Sequence, residues 1–178
     1  MMKWLMGVVA GTSLLVAASS VRAQAPVYAD MMDSKGQQIG VAHLEQTSGG
    51  VKISLTASHL PPGTHGFHIH AVGKCDQPDF TSAGAHLNPD NKQHGSKNPK
   101  GPHAGDLGNI VVADDGTVNA TVVDPSVTLG DGANSLFHPD GTSLVIHAKA
   151  DDLMTDPSGN SGPRIACGVI KKQERTEH

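Results

Sequence analysis

Basic charge, cysteine and aromatic side chains are all scarce in this chain. Thirteen Lys and Arg stand against seventeen Asp and Glu, for a net charge of −4 with histidine neutral. That balance argues against nucleic acid as a partner, because polyanion binding needs a basic surface. Only Cys75 and Cys167 carry thiols, and neither lies near the N-terminal apolar run, so a lipoprotein anchor is not expected. One Trp, one Tyr and three Phe are the only aromatics. Strong helical periodicity is missing, so a helical domain is not expected. No internal repeat and no low-complexity tract is visible. The only long apolar run lies at the start, and polar sequence comes directly after it.

That start reads as a signal peptide spanning residues 1–23. Met1 to Lys3 are positive, Trp4 to Ala18 are apolar apart from Gly, Thr and Ser, and Val21-Arg22-Ala23 places small residues at −3 and −1 of a cleavage site after Ala23. The run is short for a membrane span of about 20 residues. Export to the periplasm is expected, with no membrane association after cleavage and one domain over residues 24–178. Loss of Lys3 and Arg22 would take the mature net charge to −6. In an oxidising compartment Cys75 and Cys167 should pair, two buried thiols being the alternative. The bridge would close a loop of about 93 residues, worth roughly 4–5 kcal/mol in the chain-entropy model.

Glycine and proline are plentiful, with 21 and 11 copies, and short alternating runs lie between them. Val51-x-Ile53-x-Leu55-x-Ala57 has period two. Ile110–Ala113 and Thr117–Val123 flank Asp114-Asp115-Gly116, a hairpin-type turn. Further hairpins are expected at Asp33–Gly36 and Ser48–Gly50, and further strands at Leu144–Ala148 and Ile165–Ile170. Many short strands with Gly-rich turns point to an all-β antiparallel sandwich or barrel. Two stretches break the rhythm, Gly73–Leu107 and Asp151–Arg164. Loops of such length in a compact domain are functional or disordered. Metal and a disulfide together could tie the first one down.

Six histidines and one aspartate stand out. His68-x-His70 would share one face of a strand, and His147 would add a third imidazole from another strand. His86, His94, His103 and Asp106 form an H-x7-H-x8-H-x2-D run in the long loop. Three imidazoles and a carboxylate suit zinc; four imidazoles suit copper(II). Two four-ligand sites from seven residues require one shared ligand. An imidazole can be that ligand, because its two nitrogens point in opposite directions. His65 reads as a structural, hydrogen-bonded histidine. His43, His59, His138 and His178 lack ligand context, and Met31-Met32 read as packing residues.

GFHIH, SAGAHLNP, HAGDLGN, LVIHAKADD and GPRIACGVI, in this order, resemble the signatures of copper/zinc superoxide dismutases, most closely the exported bacterial type. The resemblance runs from about Val27 to Ile170 and implies an all-β antiparallel Greek-key sandwich or barrel with two long functional loops. It implies copper held by His68, His70, His86 and His147. It implies zinc held by His86, His94, His103 and Asp106, with His86 bridging. It further implies that Asp151 links a copper histidine to a zinc histidine, that Arg164 orients the anion beside copper, and that Cys75–Cys167 is the family disulfide. Superoxide, a small anion, is then the substrate, and dioxygen and hydrogen peroxide are the products. His86 and Arg164 are the expected catalytic residues. Lys74, Lys92, Lys97 and Lys100 are candidates for steering the anion. Monomer and homodimer both remain open. The alternative is a periplasmic copper and zinc carrier with the same fold and no turnover; the presence of Arg164 speaks for the enzyme.

Overall fold

The computed structural model describes residues 25–174. The signal-peptide reading and His178 fall outside them. Among the described residues, nine strands make up the regular structure. They are β1 (Val27–Asp33), β2 (Gln38–Thr47), β3 (Gly50–Ala57), β4 (Gly63–His70), β5 (Asp106–Val112), β6 (Val118–Asp124), β7 (Ser143–His147), β8 (Arg164–Val169) and the short β9 (Lys171–Lys172). Among the described residues there is no α-helix, only a 3-10 turn at Thr81–Ala83. All ladders are antiparallel and run in the order β5-β4-β7-β8-β1-β2-β3-β6, with β9 beside β1. The result is a nearly closed eight-stranded barrel, the all-β architecture expected from the pattern.

Period-two alternation explains how the sheet fills its interior. Val51, Ile53, Leu55 and Ala57 of β3 are buried, while the residues between them are more exposed. Val27, Ala29 and Met31 do the same on β1. Phe67 and Ile69 of β4 and Leu144 and Ile146 of β7 complete the centre of the core. Burying a side chain such as Phe67 stabilises the fold by roughly 1.5–3 kcal/mol.

β4 and β7 differ from the rest because both of their faces are buried. Phe67 and Ile69 face the core, so His68 and His70 face outward. Loops 71–105 and 148–163 cover that outer face. Phe80 and Ala83 of the first loop pack on Val145 and Cys167, in a small apolar cluster separate from the barrel core. Cys75 and Cys167 are disulfide-bonded, with Cα atoms 5.6 Å apart and a sequence separation of 92. The bond therefore ties the long loop to β8.

Two expectations from the sequence need correction. The turn at Asp114–Gly116 forms, with Ala113 N–H donating to Thr117 O at 2.8 Å. Its flanking strands do not ladder with each other, however. β5 pairs with β4 and β6 pairs with β3, so the turn joins the two edges of the sheet across the barrel seam. Turn chemistry is local, but the choice of ladder partner is not. The long loop also ends earlier than Leu107. Asp106 is already in β5, opposite His68, next to a bulge in the ladder. The polar Gly-Asp-x-Gly composition hid the start of that strand.

Candidate metal centre

Main-chain hydrogen bonds bring His86 to β4. Ala71 N–H donates to Ala85 O, and Leu87 N–H to Ile69 O, both at 2.9 Å. His86 thereby stands opposite His70 in an antiparallel bridge. His68, His70 and His147 come from the outer face of neighbouring strands, and all four rings are buried. Their ligand atoms lie within 4.8 Å of one another. In each ring one nitrogen is buried without a hydrogen-bond partner: His68 Nδ1, His70 Nε2, His86 Nε2 and His147 Nε2. Orphaned buried polar atoms are rare and costly. Four of them converging is the donor set of a four-imidazole metal site, and copper(II) fits it.

His86, His94, His103 and Asp106 make a second group with the same closeness. The Nδ1 atoms of the three histidines lie 2.8, 3.0 and 3.3 Å from Asp106 Oδ1. Asp106 Oδ2 accepts the backbone N–H groups of Gly95 at 2.8 Å and His103 at 2.9 Å, which fixes the carboxylate. Three imidazoles and a carboxylate fit zinc. His86 turns Nδ1 to this group and Nε2 to the other, so one ring belongs to both.

Asp151 lies between the groups. Its Oδ2 is 2.8 Å from His68 Nε2 and its Oδ1 is 2.9 Å from His94 Nε2. Asn109 holds its backbone from both sides, at 2.9 and 2.8 Å. Burial depresses the histidines facing the first group: His86 and His147 are each lowered to about 4, and His70 further. His94 goes the other way. Burial opposes its charge, but the two carboxylates outweigh burial and raise it to about 9. Burial likewise works against the charges of Asp106 and Asp151, yet the bonds they accept hold both below the ordinary carboxylate range. Neutral imidazoles face the first group, and anionic oxygen serves the second.

A cleft of about 390 Å3 opens onto His70, His86 and His147. Arg164 lines it and is held by backbone: Nη1 donates to Phe80 O at 2.5 Å and Nη2 to Gly84 O at 2.6 Å. Phe80 has a left-handed backbone (φ 56) and is fully buried. Its anchoring side chain offsets the cost of that conformation. None of Lys74, Lys92, Lys97 and Lys100 lines the cleft, and all four are exposed. Among the described residues that line the cleft, Arg164 is the only charged side chain other than histidine. His65 is buried, with its nitrogens 2.8 Å from His147 O and Pro61 O, so it braces the site from below. His43 and His59 are exposed and His138 is half-buried; none joins either group. Met31 is core and Met32 half-buried. Sequence reasoning gives no role to Asn109, nor to the carbonyls of Gly84 and Gly162 that accept from His70 and His147. Asn109 does stand within the HAGDLGN motif; a backbone acceptor leaves no mark in sequence.

The family model described as copper/zinc superoxide dismutase (SODC) matches residues 38–170. The chain belongs to the copper/zinc superoxide dismutase family. One similar dismutase, a Cu-Zn enzyme of Aquifex aeolicus, is 53% identical over 85% of this chain and 91% of that protein. A second from the same organism is 49% identical over 96% of this chain and all of that protein. Among solved structures, a dismutase-like protein from Bacillus subtilis superposes with a TM-score of 0.79 at 40% identity, covering 81% of this chain and 97% of the other. The Cu/Zn superoxide dismutase from Brucella abortus gives 0.66 at 30% identity over 81% and 98%. Copper and zinc are the family's metals and superoxide is its substrate. The two donor groups described above have the chemistry to hold those metals.

Proposed function

We propose that this chain dismutates superoxide, with copper on His68, His70, His86 and His147 and zinc on His86, His94, His103 and Asp106. The observation that carries this reading is the set of four converging orphaned imidazole nitrogens, three of whose rings line a cleft together with Arg164. Copper supplies the one-electron redox change; zinc, which has none, serves to hold the bridge and the loop. Two superoxide ions and two protons give one dioxygen and one hydrogen peroxide. Arg164 stays charged and offers a rigid fork of N–H donors, so it can bind and orient an anion in the cleft. Its hydrogen bonds to Phe80 O and Gly84 O keep the fork in place. His86 Nε2 faces the same space and can carry a proton to a nascent peroxide, while Nδ1 stays on the Asp106 side. Asp151 fixes the orientation of His68 and His94.

The local cation matters because the chain is acidic overall. Residues 1–23 read as an export signal and the periplasm as the destination. The Cys75–Cys167 bond supports an oxidising compartment. The carrier alternative has no use for Arg164 above the cleft, and variants of Arg164 separate the two. Arg164→Glu should keep copper and zinc content near that of the parent but depress dismutation strongly; Arg164→Lys should depress it less. The parent rate should fall with added salt, which screens steering over roughly 10 Å at 0.1 M. An Arg164→Glu protein, fully loaded, that turns over like the parent at low salt would remove the anion site proposed here. Full activity in a copper-free sample would remove copper.

A further inference from the structure

When one nitrogen of a histidine faces a metal group, the other must carry the proton, and it needs an acceptor. The acceptors are visible for four rings. His68 Nε2 has Asp151 Oδ2, His94 Nε2 has Asp151 Oδ1, His70 Nδ1 has Gly84 O and His147 Nδ1 has Gly162 O, at 2.8 to 3.0 Å. His86 needs none, because both its nitrogens face donor groups. His103 remains. Its Nδ1 faces Asp106 Oδ1, and its Nε2 lies 3.7 Å from Asp156 Oδ1. A shift of about 0.7 Å would bring that pair to an ordinary N–H···O length. The same oxygen already accepts the backbone N–H of His94 at 2.7 Å. From the short loop 148–163, Asp156 therefore holds the backbone of His94 and stands beside the ring of His103. Its neighbours Pro157 and Ser158 line the cleft.

We propose that Asp156 is a positioning residue for the zinc-type group, fixing His103 as its Nε2–H form and turning Nδ1 toward Asp106. The inference rests on the zinc assignment made above. With that pair closed to hydrogen-bond length, Asp156 would serve His103 as Asp151 serves His68 and His94. Its side chain is 49% exposed, so water screens its charge, and its effect is directional rather than a matter of bulk field. Asp156 also couples the loop that walls the cleft to the zinc half of the site, so a disturbance at one is felt at the other.

The test uses the disulfide-intact protein stripped of metal, with Asp156→Ala and Asp156→Asn beside the parent. Folding is checked by circular dichroism. Cobalt(II) titration, read by its visible bands, and zinc competition against a chromophoric chelator give affinities. Long-range proton–nitrogen spectra of the zinc-loaded proteins give the His103 signals. Asp156→Ala should weaken zinc about tenfold or more and move the His103 Nε2 resonance. Asp156→Asn, which keeps an uncharged oxygen, should fall between Ala and parent on both readouts. Zinc affinity within twofold of the parent in Asp156→Ala overturns the proposal. So does weaker zinc with an unmoved His103 signal, since Asp156 would then act only through the His94 N–H. Should Asp156→Ala not fold, an Asp156→Asn protein matching the parent on both readouts overturns it equally. If the parent itself shows no tetrahedral cobalt bands, the zinc assignment fails first, and this inference with it.

Discussion

Replacing Gly159 by Ala should weaken both metals while leaving every ligand residue in place. Gly159 has φ 62, and loop 148–163 brings it directly against the pair formed by Asp151 and His94. A Cβ there would overlap the Asp151 carboxylate and come within 2.7 Å of His94 Nε2. Either the loop or the carboxylate must move, and Asp151 holds His68 and His94 in orientation. The left-handed backbone alone costs an L-residue about 1–2 kcal/mol. Gly36 isolates that cost. It has φ 78 in the β1–β2 turn, and the nearest atom to a Cβ there is 3.9 Å away. Gly36→Ala should thus lower the melting temperature of the metal-free protein, by about 2–4 °C for each kcal/mol in a domain of this size. Its zinc and copper affinities should match the parent. Gly159→Ala should lose stability by more, and should weaken metal binding about ten- to a hundredfold, the usual effect of disturbing an outer-shell partner. That range corresponds to about 1.4–2.8 kcal/mol. The assays are thermal melts of the stripped proteins and chelator competition for each metal. Equal affinities in the two glycine variants would refute the reasoning, because the clash with Asp151 would then have no consequence for the ligands.

Removing the disulfide by Cys75→Ser with Cys167→Ser should destabilise the protein by roughly 4–5 kcal/mol in the chain-entropy limit. It should also loosen zinc, whose proposed loop ligands lie on the segment the bond anchors; coincident urea curves for variant and parent would contradict both statements. Asp124→Asn should act in the opposite direction. Asp124 is buried, its Oδ2 has no partner, and burial pushes its carboxyl up from 3.8 to about 6. The folded state therefore holds a proton that the unfolded state has released, so the parent loses stability as pH rises from about 4 to about 6. Asn does not titrate, yet can still accept from Ser126 N–H as Asp124 Oδ1 does. The variant should match the parent below pH 4 and exceed it by about 2–3 kcal/mol above pH 7. Denaturant midpoints at pH 4 and pH 7.5 measure this, and a gain of equal size at both would rule out ionisation as the cause.

Much of the site can be read in one dimension because ligand chemistry is a property of residue type and spacing. Strand period two alone puts His68 and His70 on one face. Seven donors, His68, His70 and His147 with the H-x7-H-x8-H-x2-D run, can fill two four-ligand sites only by sharing an imidazole. The turns at Asp33–Gly36, Ser48–Gly50 and Asp114–Gly116 are local chemistry and are legible for that reason. What Asp114–Gly116 joins is not, since pairing β5 with β4 and β6 with β3 depends on closing the barrel. Tertiary structure alone decided which nitrogen of each ring is left free, for that depends on acceptors such as Gly84 O and Gly162 O. It alone placed Arg164 over the cleft, by way of the carbonyls of Phe80 and Gly84, and left Lys74, Lys92, Lys97 and Lys100 outside. It alone brought Asp156 to His103 and Gly159 to Asp151. Side-chain chemistry is written in the chain residue by residue. Backbone acceptors and close approaches come into being only when distant loops meet.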